Sequence, residues 1–206
     1  MKSANLKLSL FKIALCLTLL VITIGCVDSV ENPSTGTLRL YNHSTVTIDY
    51  FYLSPANQTK WGDNLLPMPL SSSHTFDIIN LSPDMYDAKA TVIGQFSTYS
   101  AYSYDFWITA GYMSELTARD SSFSGSLKIF NNTTGASIVA LYVAPSSASS
   151  WGVNQISSPV APSGSVHLYD LTPDVYDVKV VWNFGADSFY YDIQVDSLTL
   201  TTQNVI

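Results

Sequence analysis

The 206-residue chain is 47% hydrophobic and 13% aromatic, enough apolar material for packed cores and too much for a disordered polymer. Only 12% of its residues are charged, and the formal net charge is −7. So acidic a chain has no electrostatic route to phosphate backbones, which excludes nucleic acid as a partner.

The first feature in chain order is a leader. Lys2, Lys7 and Lys12 supply positive charge, and a 12-residue apolar run follows from Ile13 to Ile24. That run falls short of the roughly 20 apolar residues of a membrane-spanning helix, and it fits the apolar region of a secretory signal peptide. Ile22-Thr23-Ile24-Gly25-Cys26 resembles the lipobox of bacterial lipoproteins, with Thr23 standing where that motif usually has Leu. The resemblance implies cleavage before Cys26, acylation of that cysteine, and attachment to a membrane through the N-terminal lipid. An uncleaved anchor and a plain secreted protein are the alternatives. Residues 1–25 are therefore expected to be a signal peptide and residues 26–35 a polar, lipidated tether. Cleavage removes three of the nine basic residues and none of the 16 acidic ones, leaving six against 16 and a net charge of −10. It also removes Cys16, so Cys26 is left as the sole cysteine and no disulfide can form within the chain. The expected location is the extracytoplasmic cell envelope, at an outer membrane or cell surface rather than an inner membrane.

An internal repeat follows. Gly-Thr-Leu-Arg-Leu-Tyr-Asn from Gly36 to Asn42 returns as Gly-Ser-Leu-Lys-Ile-Phe-Asn from Gly125 to Asn131, and Trp61-Gly62-x-Asn64 returns as Trp151-Gly152-x-Asn154. Leu81-x-Pro83-Asp84-x-Tyr86-Asp87-x-Lys89 matches Leu171-x-Pro173-Asp174-x-Tyr176-Asp177-x-Lys179. Two domains are expected, residues 36–120 and 125–206. Within each, apolar residues alternate with polar ones: Leu38 and Leu40, Val46 and Ile48, Phe76 and Ile78, then Ala88, Ala90 and Val92. Leu127 and Ile129, Val166 and Leu168, Val178, Val180 and Trp182, then Ile193 and Val195 answer in the second copy. A period of two marks half-buried antiparallel strands, and Asn-His-Ser, Ser-Pro and Ser-Pro-Asp breaks mark the turns. Six or seven short strands per copy predict an all-β fold of two tandem antiparallel, Ig-like β-sandwiches.

The Leu-x-Pro-Asp-x-Tyr-Asp segment resembles the Leu-x-Pro-Gly-x-Tyr corner of fibronectin type III-like, carboxypeptidase-regulatory-like and related Ig-like modules, with Asp84 and Asp174 in place of the frequent Gly. The resemblance implies that Tyr86 and Tyr176 start a strand, that their hydroxyls tie back to the preceding corner, and that Leu81 and Leu171 lie beneath it. It implies a fold class and no activity. The motif order as a whole resembles repeats of uncharacterised bacterial lipoproteins.

Chemistry-bearing patterns are few. His43, His74 and His167 belong to no nucleophile motif, His74 and His167 lying near equivalent places, and neither metalloenzyme spacings nor Gly-rich phosphate loops occur. No catalytic residue, enzyme activity or cofactor is therefore expected. Calcium is the one ionic option, with Asp84, Asp87, Asp174 and Asp177 as weak candidates. A site needs six or more oxygens, so capping of the turn by Asp84 and Asp174 is the preferred reading, with Asp87 and Asp177 as strand-edge charges paired to Lys89 and Lys179.

Trp61 and Trp151 have two readings: plugs at one end of a sandwich, with Gly62 and Gly152 in strained turns and Asn64 and Asn154 holding loop backbone, or an exposed, repeated binding surface. The structural one is preferred. The segment from Gln95 to Trp107 is richer in aromatics than its counterpart, and the first copy has three more residues than the second between the Lys and Asp that bracket it. Tyr99, Tyr102, Tyr104 and Trp107 are side chains favoured at carbohydrate and protein interfaces, so this is the leading candidate for binding a glycan or protein partner. The expected function is a non-enzymatic binding or adhesion module anchored to a membrane. The alternative is a structural or assembly lipoprotein of the envelope.

Overall fold

The computed structural model describes residues 33–206, and Ser34–Ile206 form one compact unit. The expected leader and Cys26 lie outside the described residues. The fold is all-β, and the described residues form twelve strands in four three-stranded sheets and a single 3₁₀ turn, Asp120–Ser122. The first half holds β1 (Gly36–Asn42), β2 (Tyr50–Pro55), β3 (Thr75–Leu81), β4 (Asp84–Ile93), β5 (Thr98–Ile108) and β6 (Met113–Ala118). The second holds β7 (Gly125–Asn131), β8 (Ile138–Pro145), β9 (Ser165–Leu171), β10 (Asp174–Trp182), β11 (Ser188–Val195) and β12 (Leu200–Val205). Sheet order is β3-β1-β6 and β2-β4-β5 in the first half, and β9-β7-β12 and β8-β10-β11 in the second. The repeat read from the sequence is thus a repeat of topology.

Pairing is antiparallel except that β1 runs parallel to β6 and β7 to β12. A parallel neighbour was not expected from alternation alone, because a period of two reports which face is buried and not the direction of the partner strand. The inward residues do follow the pattern. Leu38, Leu40, Phe51, Ile78, Ala88, Ala90 and Ile108 belong to one core, and Leu127, Ile129, Leu141, Val178, Val180 and Val195 to another.

One expected strand is missing. Val46 and Ile48 lie in a loop whose only strand-like pairing is the isolated Ile48–Leu70 bridge, and the next residue, Asp49, bonds β4 through the Thr91 carbonyl. Asn42 explains this: its buried amide donates to the carbonyls of Val46 and Leu70 and accepts from the backbone N–H and hydroxyl of Ser44. A local side chain that satisfies loop backbone in this way replaces a strand ladder. Asn131 repeats the arrangement with Ala136, Val160 and Thr133.

The corner motif forms as the resemblance implied. The Tyr86 hydroxyl donates to the carbonyl of Ser82 at 3.1 Å and that of Tyr176 to Thr172 at 2.8 Å, with Leu81 and Leu171 packed against the two cores.

The halves meet where β5 approaches the start of β7. Ser124 N–H donates to the Ser100 carbonyl at 2.8 Å, Ser100 N–H donates to Ser124 Oγ at 2.9 Å, and the Ser97 and Ser126 hydroxyls share a bond of 2.5 Å. Asp170 accepts from the Ser124 hydroxyl at 3.2 Å, and Leu198 packs against the first core.

Candidate functional site

The Tyr-rich segment is divided by the fold among three places. Tyr99 is not a surface residue: it is 6% exposed and packs in the first core, which corrects its place among the binding candidates. Its strand phase is opposite to that of Tyr102 and Tyr104, so its ring enters the sandwich while theirs leave it. Trp107 lies 64% exposed at the far end of β5. Tyr102 and Tyr104 remain on the outer face of β2-β4-β5, their rings parallel within 3° and 5.9 Å apart.

Trp61 joins that pair. Its ring lies 5.9 Å from that of Tyr102, half-buried on the outside of the sheet, so it does not plug the end of the sandwich. The rest of its motif is scaffolding. Gly62 takes a φ of +73°, which a side chain disfavours. Asn64 accepts from the N–H groups of Phe51 and Leu66 and donates to the Leu66 carbonyl, which fixes the loop against β2. The same loop returns in the second half, with Gly152 at +70° and Asn154 bonded to Leu141 and Ile156.

The second half carries the same row of rings, which the sequence reading missed. Trp151 lies 5.8 Å from Phe189, and Phe189 and Tyr191 are parallel within 7° at 6.4 Å. The signal was the three-residue difference in length: a gap before β11 brings Tyr102 onto Phe189, Tyr104 onto Tyr191 and Asp105 onto Asp192. A lysine sits in each row. Register places Tyr52, Lys89 and Tyr102 side by side, and Tyr142, Lys179 and Phe189. The Lys89 ammonium lies 5.5 Å from the Tyr102 ring centre, while Lys179 lies 5.8 and 5.7 Å from Tyr142 and Phe189. Both are within cation–π range.

The four aspartates act on backbone. Asp84 and Asp174 each accept from the next residue's N–H, at 2.8 and 2.7 Å. Asp87 and Asp177 do not pair with the lysines; they hold the amides of Asp105 and Asp192, and Lys179 pairs instead with Asp187 at 2.9 Å. The carboxylates turn away from the lysines because a bulge in β5 and in β11 leaves an amide without a ladder partner. Among the described residues no three carboxylate, imidazole or thiol groups converge as a metal ion requires. His74 precedes β3 and faces the Ser72 carbonyl, whereas His167 lies inside β9 beside Tyr169, so the two are not counterparts.

No protein-family profile matches this chain, and no curated protein matches it. Among solved structures, the Bacillus anthracis TIE protein aligns with 84% of this chain and 33% of its own at 14% identity and a TM-score of 0.29. GBS52, the minor pilin of the gram-positive pathogen Streptococcus agalactiae, aligns with 83% of this chain and 94% of its own at 10% identity and a TM-score of 0.28. This chain thus spans about a third of the length of the first. Neither likeness bears on the aromatic rows. Among the described residues no helix is long and apolar enough to cross a membrane.

Proposed function

We propose that this protein is a non-enzymatic, extracytoplasmic lipoprotein that binds carbohydrate through the two aromatic rows. The observation that carries the reading is the duplication of one arrangement, Trp61–Tyr102–Tyr104 with Lys89 and Trp151–Phe189–Tyr191 with Lys179, on outer sheet faces. Core packing does not call for rings there. A row of exposed rings offers apolar area to the C–H faces of a sugar, and the Tyr104 and Tyr191 hydroxyls with the Lys89 ammonium offer polar partners, while the Tyr102 hydroxyl donates to Asp170. Two such rows on one compact unit favour a polymeric or clustered ligand, because the second contact then forms at high effective concentration.

Binding of the unlipidated chain to a panel of soluble polysaccharides, by affinity electrophoresis and calorimetry, tests this reading. Triple alanine replacement of Trp61, Tyr102 and Tyr104 should weaken a retained polysaccharide at least about tenfold, and adding Trp151→Ala and Phe189→Ala should abolish retention. Retention unchanged by all five replacements, or no polysaccharide retained at all, would sink it. The anchor is tested separately, by metabolic labelling with palmitate in the wild type and in Cys26→Ser, where only the wild type should take up label.

A further inference from the structure

The end of the first half where the tether joins carries four exposed apolar side chains. Ile79 is 64% exposed, Trp107 64%, Tyr112 70% and Met113 46%. Ile79, Tyr112 and Met113 lie beside the first residues of β1, and Trp107 is held by β6. Thr37 N–H donates to the Tyr112 carbonyl, Thr37 lies beside Met113 in register, and Gly111 N–H donates to the Thr35 carbonyl. The Ser114 hydroxyl donates to the Trp107 carbonyl at 2.8 Å, and Ile79 lies in the irregular register between the Leu38–Ile78 and Gly36–Leu81 pairs.

The repeat tells what such an end is for. In the second half the equivalent positions are Tyr169, Gln194, Thr199 and Leu200. That end is the junction with the first half: Ser124 and Ser126 stand where Thr35 and Thr37 stand in the first half, and they bond Ser100 and Ser97 across it. Ser97, Ser100, Ser124 and Ser126 let the backbones approach to hydrogen-bonding distance there, while Tyr169, Gln194 and Thr199 stay exposed beside them. The first half has no strands before it in the described unit, and it puts Trp for Gln and Tyr for Thr at these positions. Exposed amphipathic rings at such an end suit the interfacial layer of a bilayer.

We infer that this end of the first half docks on the lipid surface, with Trp107, Tyr112 and Met113 in the interfacial layer. The inference rests on the lipid-anchor reading. Thr35 follows Cys26 by nine residues, an extended length of no more than about 32 Å at ~3.6 Å per residue. A tether that short holds this end at high local concentration beside the membrane. The occupant is a zwitterionic surface, because the net charge after cleavage opposes an anionic one and Asp84, paired with Ile108, lies at this end.

The chain from Cys26 to Ile206 contains one cysteine, so it can be coupled at Cys26 to a maleimide-headgroup phospholipid in phosphatidylcholine vesicles. Trp107 becomes the sole reporter in Trp61→Phe, Trp151→Phe, Trp182→Phe. Replacing the host lipid by acyl-brominated phosphatidylcholine should lower its emission by about half or more. Adding Tyr112→Ser and Met113→Ser should remove most of that quenching while the circular dichroism spectrum stays unchanged. Equal emission in ordinary and brominated vesicles overturns the docking inference, as does protection of Trp107 by concentration-dependent dimerisation in lipid-free solution. Because the lipid is attached chemically, neither result depends on acylation in the cell. A negative palmitate label on the wild-type chain counts against the anchor reading alone.

Discussion

Asp87 on β4 accepts a hydrogen bond from the backbone N–H of Asp105 on β5 at 3.0 Å, at a bulge where Asp105 has a φ of +55°. Asp177 does the same for Asp192 at 3.1 Å, where φ is +57°. The bulge adds one residue to β5, so Ala101 on one side of it and Phe106 and Ile108 on the other all turn toward the core, while Tyr102 and Tyr104 stay outside. The conserved geometry of the two rows therefore hangs on a carboxylate that does not touch a ring. Asp87→Ala should cost about 1.5–3 kcal/mol, the range for a hydrogen bond to a charged group. Asp87→Asn, which keeps an acceptor oxygen, should cost less. Denaturant midpoints for both variants, with amide exchange at Asp105, check this; equal midpoints for Ala and Asn would refute it.

Stability should fall in alkali through the buried tyrosines. Burial pushes the Tyr86, Tyr99 and Tyr176 hydroxyls above their ordinary value, and the nearby Asp84 and Asp174 push Tyr86 and Tyr176 further. The folded chain therefore holds these protons more tightly than the unfolded one. Their contribution is complete below about pH 10, the unfolded value, and drains away as pH rises through the folded values. Tyr86→Phe with Tyr176→Phe should lose about 1 kcal/mol per hydrogen bond at neutral pH and should flatten the decline between about pH 9 and 12. Curves that stay parallel to the wild type across that range would rule out the linkage.

The first core holds a cleft of about 190 Å³ lined by Leu40, Phe51, Ala88, Ala90, Ala101 and Leu116. In the second half the residues matching Ala88 and Ala90 are Val178 and Val180, both fully buried. The fold already accepts the larger side chains at those positions, so Ala88→Val and Ala90→Val together should raise stability by about 0.5–2 kcal/mol. Differential scanning calorimetry decides the point. A lowered midpoint would mean that the first core is overpacked by valine and that the cleft is no usable space.

Asn42 and Asn131 are fully buried, and each side-chain amide makes four hydrogen bonds to its loop. Alanine at either position removes four hydrogen bonds and leaves the Ser44 or Thr133 backbone N–H without its acceptor, at about 1–3 kcal/mol for the unsatisfied group. The carbonyls keep a second donor each. Urea unfolding should show losses of at least about 2 kcal/mol for each variant. By contrast, Asp77→Ala should change the midpoint little, because the Arg39–Asp77 pair is solvent-exposed.

Much of the fold was legible in residue order. Leu38 and Leu40, Val178 and Val180 announced strands and their buried faces, the repeat announced two equivalent halves, and Tyr86 and Tyr176 announced the corner whose hydroxyl bond is observed. These are local properties: a period of two and a turn motif report backbone geometry within a few residues. The parallel β1–β6 ladder, the loop in place of a strand at Val46 and the fate of the aromatic segment were not legible. Tyr99, Tyr102 and Trp107 are close in sequence, yet one enters the core, one joins Trp61 and one lies exposed at the far end of β5.

Residue order by itself determined the strand periodicity, the duplication and the residue types available for binding. Only the tertiary structure decided which of those residues meet. Trp61 and Tyr102 are 41 positions apart, and whether their rings form one row depends on strand register and on the bulge at Asp105. Register is set by pairing between distant strands, and a shift of one residue sends every ring to the opposite face.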